Sequence, residues 1–442
     1  MLEQNVMPLW RTQPEINAER QRFLRERLAI QPDVQRGIYP FKGIALTRAD
    51  VEWLLATHEN GRGPVDWDDE QQRGRLGLDL RGADLRHVDL HGLPLARIHA
   101  GLVRREWSHA TPEQREAAAL HLEGADLSEA HLEGAILRGA HLQDATLRKA
   151  FLRDAILYRA NMRNAYLREA HLERASLIAA NLEGVYLRKV HLERADLRNA
   201  FFDGVSSLEE STLSSPELGC VAIADVQWGD LNLSLIDWRQ VRILGDEYKA
   251  RQKTRRGVVK DRATQLDDYR DAVRANRQLA NAMRAQGMNE EAVPFAYRAQ
   301  VLQRKVLWRE MLWGEEPERH NPPRQGLRQR LRDVWHRVRK FGSYIFSIFL
   351  DVLAGYGYKP GRSLVIYLLV IAAFALCYTT LGQLPAGEAL IFSVTSFHGR
   401  GFLPGPFTLA SPVTAFAALE AVIGLFIEIS FIATFTQRFF GR

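Results

Sequence analysis

From Leu78 onward the apolar positions recur at every fifth residue. Leu80, Leu85, Leu90 and Leu95 keep step. After an interruption the series resumes at Leu122 and runs through Leu127, Leu132, Leu137, Leu142, Leu147, Leu152 and Leu157 to Met162, then through Leu167, Leu172, Leu177, Leu182, Leu187, Leu192 and Leu197 to Phe202. Two residues before almost every one stands a small side chain, such as Ala125, Ala130, Ala135, Ala140 or Ala195. A helix repeats at 3.6 residues and a strand at 2, so neither generates five. A coil of four pentads does, if each side turns one large and one small side chain into a narrow interior. The 17 centres from Leu122 to Phe202 predict about four coils, and Leu80 to Leu95 one more. Val221, Val226, Leu231, Ile236 and Val241, in a shifted phase and preceded by Ala224, Gly229 and Ser234, predict a closing coil. Residues 97–118 break the phase, and Thr111-Pro112-Glu113-Gln114 within them is a helix start with Pro at its first position. A helical insertion is expected there.

Other periods flank this block. In residues 1–75, the stretch Pro14 to Leu28 has helical composition, and Thr47-Arg48-Ala49-Asp50 caps a second helix ahead of Val51, Leu54 and Leu55. A small helical cap on the coil is predicted. In residues 244–317 the pattern turns helical: Tyr269, Val273, Leu279 and Met283 precede Gly287, and Ala292, Phe295, Ala296, Ala299 and Leu302 follow it, which predicts a helical hairpin. Residues 318–358 hold a basic cluster with Leu327, Leu331, Val334 and Trp335 at helical spacing, then Phe341, Tyr344, Ile345, Ile348, Phe349 and Val352. This is the pattern of basic juxtamembrane and interfacial helices, with Arg328, Arg332, Arg337, Arg339 and Lys340 as candidates to meet anionic lipid head groups. Gly355-Tyr356-Gly357 is expected to end it as a turn.

Residues 359–442 are the most apolar. Leu364 to Leu381 is an uncharged run, and Pro412 to Thr436 is broken only by Glu420 and Glu428. Each can cross about 30 Å of hydrocarbon. Between them Ala389 to Phe397 is apolar but too short to span, and Gly399, Arg400 and Gly401 follow at once. A short helix with a glycine turn survives at membrane depth only where protein or water surrounds it. Thr395, Ser396, Phe397, His398, Gly399, Arg400, Gly401 and Phe402 are therefore the candidate constriction. Carboxylates at bilayer depth cost about 2.5–3.5 kcal/mol and usually face a partner or an aqueous path. Glu420 and Glu428 lie about 80° apart around one helix and are candidates to line an inner path. Lys359 and Arg362 before the first span, and Arg438 and Arg442 after the second, put both termini in the cytoplasm.

The pentads with their A(D/N)Lxx pattern resemble the pentapeptide-repeat family, which implies a right-handed four-sided β-helix. The helical hairpin looks like a single tetratricopeptide-type unit, too few for a binding solenoid. The order of span, short helix, GxG turn and span resembles the pore module of potassium-type and related tetrameric cation channels, with Ala389 to Thr395 similar to their pore helix. Gly399-Arg400-Gly401-Phe402 stands where those channels carry GYGD. Phe397-His398 replaces the Thr-Val before the first glycine and Arg400 replaces the Tyr, so a potassium filter is not implied. The resemblance implies a tetramer that conducts inorganic ions.

Composition fits this multidomain plan of β-helix, α-helical hairpin and two-helix transmembrane pore module. The chain has 442 residues and two cysteines, Cys220 and Cys377, far apart, so no disulfide framework is indicated. The charged stretch after Met1 lacks an apolar leader, which predicts a cytoplasmic body on a bacterial inner membrane. Leu120 to Val205 carries 12 Lys plus Arg and 12 Asp plus Glu, which removes the electrostatic basis for an acidic mimic of DNA, and the basic run from Arg319 to Lys340 lies directly before a membrane-type helix, which favours lipid over nucleic acid. His131, Phe151, His171 and His191 fall on one face of a 20-residue coil, with no acid or Cys at ligand spacing, so outward aromatic stacking is expected and no metal. No phosphate loop, metal box or nucleophile motif points to an enzyme, and no catalytic residue or cofactor is assigned. Partners expected are membrane lipids, ions, further copies of the chain and a cytoplasmic protein on the β-helix. The competing expectation is a non-conducting anchored scaffold.

Overall fold

A computed structural model describes residues 8–255, 257–313, 327–399 and 411–439, and the side chains of Arg328, Arg332 and Arg337 lie outside that description. The chain divides into two compact units, Met1–Ala292 and Val293–Arg442.

The first unit is built on a ladder of parallel bridges. One face runs Asp84, His121, His141, Asn161, Asn181, Phe201, Gln227, and the next Asp89, Asp126, Thr146, Tyr166, Tyr186, Ser207. A third runs Pro94, His131, Phe151, His171, His191, Thr212, and the fourth Asp79, His99, Ile136, Ile156, Ser176, Asp196, Ala222. Four faces with a step of 20 residues make a four-sided β-helix. Within each pentad the Ala and the Leu point inward and are fully buried, as at Ala155 and Leu157. Each buried Leu contributes about 1.5–3 kcal/mol. The corner that follows is a tight turn: Ala130 N donates to Leu127 O at 3.1 Å, and Glu129 between them takes φ 58°. An i to i+3 bond with positive φ at the third residue marks a type II turn. Outward-pointing polar residues fill the corners because nothing apolar is needed there.

Two departures from the pentad series have volumetric causes. His99 stays in the ladder between Asp79 and Ile136, with Ile98 and Ala100 both buried, so the coil continues past Arg97 with the large and small inward positions exchanged. The insertion is therefore shorter than predicted: α3 (Arg104–His109) and α4 (Pro112–Ala118). It packs on the N-terminal cap, where Tyr39, Leu102, Ala110 and Ala118 form one cluster. Gly82 makes this possible, because a Cβ there would stand 2.5 Å from Ala117 O. Beyond Phe202 the ladder passes through Ser207, Thr212, Ala222 and Gln227. The centres are thus Leu208, Leu213, Ile223 and Trp228. Val221 and Val226, read above as centres, occupy the other inward column. Ser206 and Ser211 take the small position and satisfy their hydroxyls on Leu182 O (2.8 Å) and Leu187 O (2.5 Å) of the coil below. A two-residue hairpin, β1 (Ser214–Ser215) with β2 (Gly219–Cys220), bulges out between Thr212 and Ala222.

Both ends of the prism are covered, as an open ladder edge requires. α1 (Ala18–Leu28) and α2 (Arg48–Gly61) form the N-terminal cap. Thr47 and Asp50 make the predicted capping box, and Ala45 bridges Asp84. At the other end α5 (Gly245–Arg251) sets Asp246 under the last coil, where its carboxylate accepts from Ile223 N (2.7 Å) and Ala224 N (3.3 Å). A short hairpin, β3 (Thr254–Arg255) with β4 (Val258–Val259), leads to α6 (Arg262–Ala285). Gln278 and Gln286, eight apart and so on one helix face, hold the coil's edge: Gln278 bonds Asp225 N and Oδ1, and Gln286 bonds Leu233 N and Leu231 O. Gly287, at φ 77°, turns the chain into α7 (Asn289–Trp313), in which the boundary between the two units falls.

The second unit continues with α8 (Leu327–Ala354), a single helix where the sequence reading divided a basic from an interfacial segment. The Gly355-Tyr356-Gly357 turn ends it, with all three residues at positive φ. Asp351 on α8 accepts from Tyr297 Oη at 2.9 Å and from Arg304 Nη1 at 2.7 Å, and Arg362 lies 3.6 Å away. α9 (Pro360–Thr380), α10 (Ala386–Phe397) and α11 (Pro412–Phe439) follow.

Candidate functional site

Gly361–Thr380 in α9 and Pro412–Ile432 in α11 are long and apolar enough to cross a membrane. Their apolar side chains mostly face outward: Leu364, Leu368, Leu369 and Leu376 on α9, and Val422, Leu425 and Phe426 on α11, are each more than half exposed. A helix buried in a water-soluble core has the opposite distribution.

α10 is different. At 12 residues it measures about 18 Å and cannot span. Its first half, through Ala389 and Phe392, packs with Tyr378 in the last turn of α9, Leu384 just after it and Val413 at the start of α11. Its last turn, through Val394 and Phe397, packs with Tyr367, Ile371, Ile423 and Ile427. The short helix therefore starts near the end of α9 and the beginning of α11 and runs back between these two long helices. Gly424 lets it lie close to α11, since a Cβ there would stand 2.0 Å from Phe397 O.

Two polar clusters hold α10. Glu420 is fully buried, accepting from Tyr378 Oη at 2.6 Å and from Ser393 Oγ at 2.5 Å, while Ser393 also lies 3.0 Å from Ile371 O. Its carboxylate is a tie between three helices. That corrects its reading as an inner-path residue: the same rule that a membrane acid needs a partner is met by hydroxyl donors instead of water. Glu428 behaves otherwise. It pairs with His398 Nδ1 just beyond α10, His398 Nε2 lies 3.3 Å from Tyr367 Oη, and both members of the pair are over a third exposed. The loop is also narrower than predicted. Thr395, Ser396 and Phe397 belong to the last turn of α10, with Ser396 and Phe397 buried, so the exposed turn begins at His398 and Gly399. Arg400, Gly401 and Phe402 lie outside the described residues.

On α8, Trp335, Val338, Phe341, Ile345, Phe349 and Val352 form an exposed apolar stripe at helical spacing. Among the lipid candidates Arg339 is exposed, but Lys340 is paired with Glu310 at 3.3 Å, an engagement that the local sequence did not reveal.

The histidine face of the prism stacks as expected. His131 on Phe151, Phe151 on His171 and His171 on His191 have centroids 4.6, 5.2 and 4.8 Å apart. Acids do accompany it, contrary to the sequence reading. Glu133, Glu173 and Glu193, two residues on, turn back to the imidazoles at 3.3, 3.2 and 3.5 Å. The Glu133 bond holds His131 above its ordinary pKa against the opposing effect of burial. The i, i+2 spacing signals this pairing once both positions are known to project from one side. His171, Glu173 and His191 bring their donor atoms within 4.8 Å of one another, as do Glu116, His121 and His141. The rings are stacked within 3°, so their in-plane lone pairs run parallel and do not converge on one ion.

This geometry defines a β-helical prism joined to a helical unit with two membrane-competent helices. The family model of pentapeptide repeats matches residues 121–154, 135–174, 155–194 and 175–206, and this part of the chain is built of those repeats. No curated protein matches the chain. Among solved structures it is similar to a pentapeptide repeat protein from the thylakoid lumen of Arabidopsis thaliana, at 25% identity over 33% of this chain and 90% of that one, with a TM-score of 0.22. It is similar also to HetL, a pentapeptide repeat protein involved in heterocyst differentiation regulation in the cyanobacterium Nostoc, at 17% identity over 41% of this chain and 79% of that one, with a TM-score of 0.22. A plasmid-mediated fluoroquinolone resistance protein is a third, at 21% identity over 39% and 81%, again with a TM-score of 0.22.

Proposed function

We propose that this protein is an ion channel of the two-span pore-loop kind, assembled from several copies in a bacterial cytoplasmic membrane and regulated or held together by its pentapeptide-repeat prism. The observation that carries the reading is α10, an apolar helix too short to span that runs back between two helices long enough to do so. A lone anchor has no use for such a helix, and the buried Glu420 tie fixes its position. In an oligomer the exposed His398–Glu428 pair recurs once per subunit, and a ring of such carboxylates favours cations. Both chain ends lie on the cytoplasmic side, with the apolar stripe of α8 in the interface below the spans.

The test is single-channel recording of the purified full-length protein in planar bilayers under asymmetric KCl, beside Glu428→Gln and His398→Ala. Discrete currents whose conductance or reversal potential changes in either variant support the reading. Silence of a folded, inserted protein across voltage, pH and calcium overturns it in favour of a membrane-anchored scaffold.

A further inference from the structure

Residues 120–205 carry no net charge, yet several of their arginines gather at one place on the prism. Where the ladder of Ile156, Ser176 and Asp196 runs beside the helical insertion, a groove of about 920 Å³ opens. α3 and α4 contribute one wall, with Arg104, Trp107 and Arg115, and the stacked coils contribute the other. Its cations are all arginines and its acids are two. Arg174 is paired with Asp154, and Arg198 with Asp196. Arg104, Arg115, Arg138, Arg159 and Arg194 remain, and among the described residues no carboxylate is recorded within ion-pair distance of any of them.

These guanidiniums are positioned rather than loose. Arg138 donates to Leu102 O at 2.5 Å, and its guanidinium and that of Arg159 lie 5.6 and 5.9 Å from the Tyr158 ring. Arg115 lies 5.0 Å over Trp107, which meets Tyr158 edge to face at 5.7 Å. Stacking on aromatic faces fixes a guanidinium plane and leaves its N–H edge free to bind. Burial pulls the Arg138 guanidinium below its ordinary pKa, Tyr158 and Glu106 oppose this, and Arg104 adds repulsion. A bound anion favours the charged guanidinium and offsets that repulsion. Guanidinium forks match phosphate bidentately, and a site using Arg to the exclusion of Lys selects that planar chemistry. Three coils of a parallel ladder extend about 14 Å, and the volume falls within the ordinary range of small-molecule sites, so the groove suits a compact ligand better than a polymer.

We propose that this groove binds a compact polyphosphate ligand of nucleotide size, with Arg159 and Arg194 at its rim and Arg115 and Arg138 behind them. The site is independent of conduction and stands whether or not the membrane unit is a channel. Calorimetric titration of the full-length protein in detergent micelles tests it, with adenosine 5′-triphosphate, inorganic tripolyphosphate and adenosine as probes. The expected result is saturable binding of both phosphates and none of adenosine. Arg159→Gln combined with Arg194→Gln should weaken binding at least tenfold, while Arg163→Gln, on another face, should leave it unchanged. Arg159 and Arg194 are exposed and form no ion pair among the described residues, so their replacement leaves folding intact, which circular dichroism verifies. Absence of saturation at millimolar tripolyphosphate, equal weakening by Arg163→Gln, or tighter binding of a polyglutamate peptide than of either phosphate each overturns the proposal.

Discussion

Replacing Gly424 by Ala tests the packing on which the hairpin depends. The added methyl would stand 2.0 Å from Phe397 O, 2.9 Å from its carbonyl carbon and 3.0 Å from its ring. Two of these are backbone atoms and cannot rotate away, so α10 and α11 must separate by roughly 1.4 Å to reach ordinary contact. Overpacking of this kind costs about 1–3 kcal/mol, while Gly to Ala in a helix interior gains about 1 kcal/mol. The net expectation is a loss of up to about 2 kcal/mol, with the shift at Phe397 carrying His398 away from Glu428. Gly342 on α8 has nothing within 4 Å of its Cβ position, so Gly342→Ala is the matched control and should gain up to about 1 kcal/mol. Both are measured by unfolding the full-length protein in mixed micelles, followed by circular dichroism. A Gly424→Ala protein stabilised as much as Gly342→Ala would refute the close approach of α10 to α11.

Glu420→Ala leaves the hydroxyls of Tyr378 and Ser393 without their carboxylate and should cost about 2–4 kcal/mol in the same assay, whereas Glu428→Gln should change stability by less than about 1 kcal/mol. Leu157→Ala opens a cavity in a fully packed coil and should cost about 3 kcal/mol in urea unfolding. Burial pushes the Asp246 carboxyl up from 3.8 to about 6. The folded state therefore holds this proton more tightly than the unfolded one. Its contribution to stability is fullest below about pH 4 and is lost as pH rises to about 6, by up to about 3 kcal/mol. Asp246→Asn should remove that slope from the pH profile of urea unfolding, and an unchanged difference between variant and wild type from pH 4 to 7 would contradict it.

The prism was legible because a five-residue period has few physical sources, and Leu against Ala at fixed spacing reports inward volume directly. The reading failed where volume stopped being diagnostic. Ile98 and Ala100 exchange sizes, so the coil through His99 passed for a break. Past Leu213 both inward columns become large, and Val221 could not be told from Ile223 as a centre. In the second unit, apolar length marked the two long helices and the short one between them, but an acid in such a helix carries no sign of its partner. Glu420 and Glu428 look equivalent on a helical wheel, and only the neighbouring helices decide that one is tied to Tyr378 and Ser393 and the other to His398. The groove arginines were equally invisible as a group, being scattered from Arg104 to Arg198 and gathered only by the 20-residue step.

That step makes the prism a rod whose length and rotation are quantised. Removing one pentad turns every side chain beyond it by about a quarter turn, so that Gln278 and Gln286 meet the wrong edge and the groove loses its register with the insertion. Removing a whole coil of 20 residues shortens the rod by about 4.8 Å and rotates nothing. The distance between the two caps can therefore change in coil-sized increments while both still meet the faces they were built to cover.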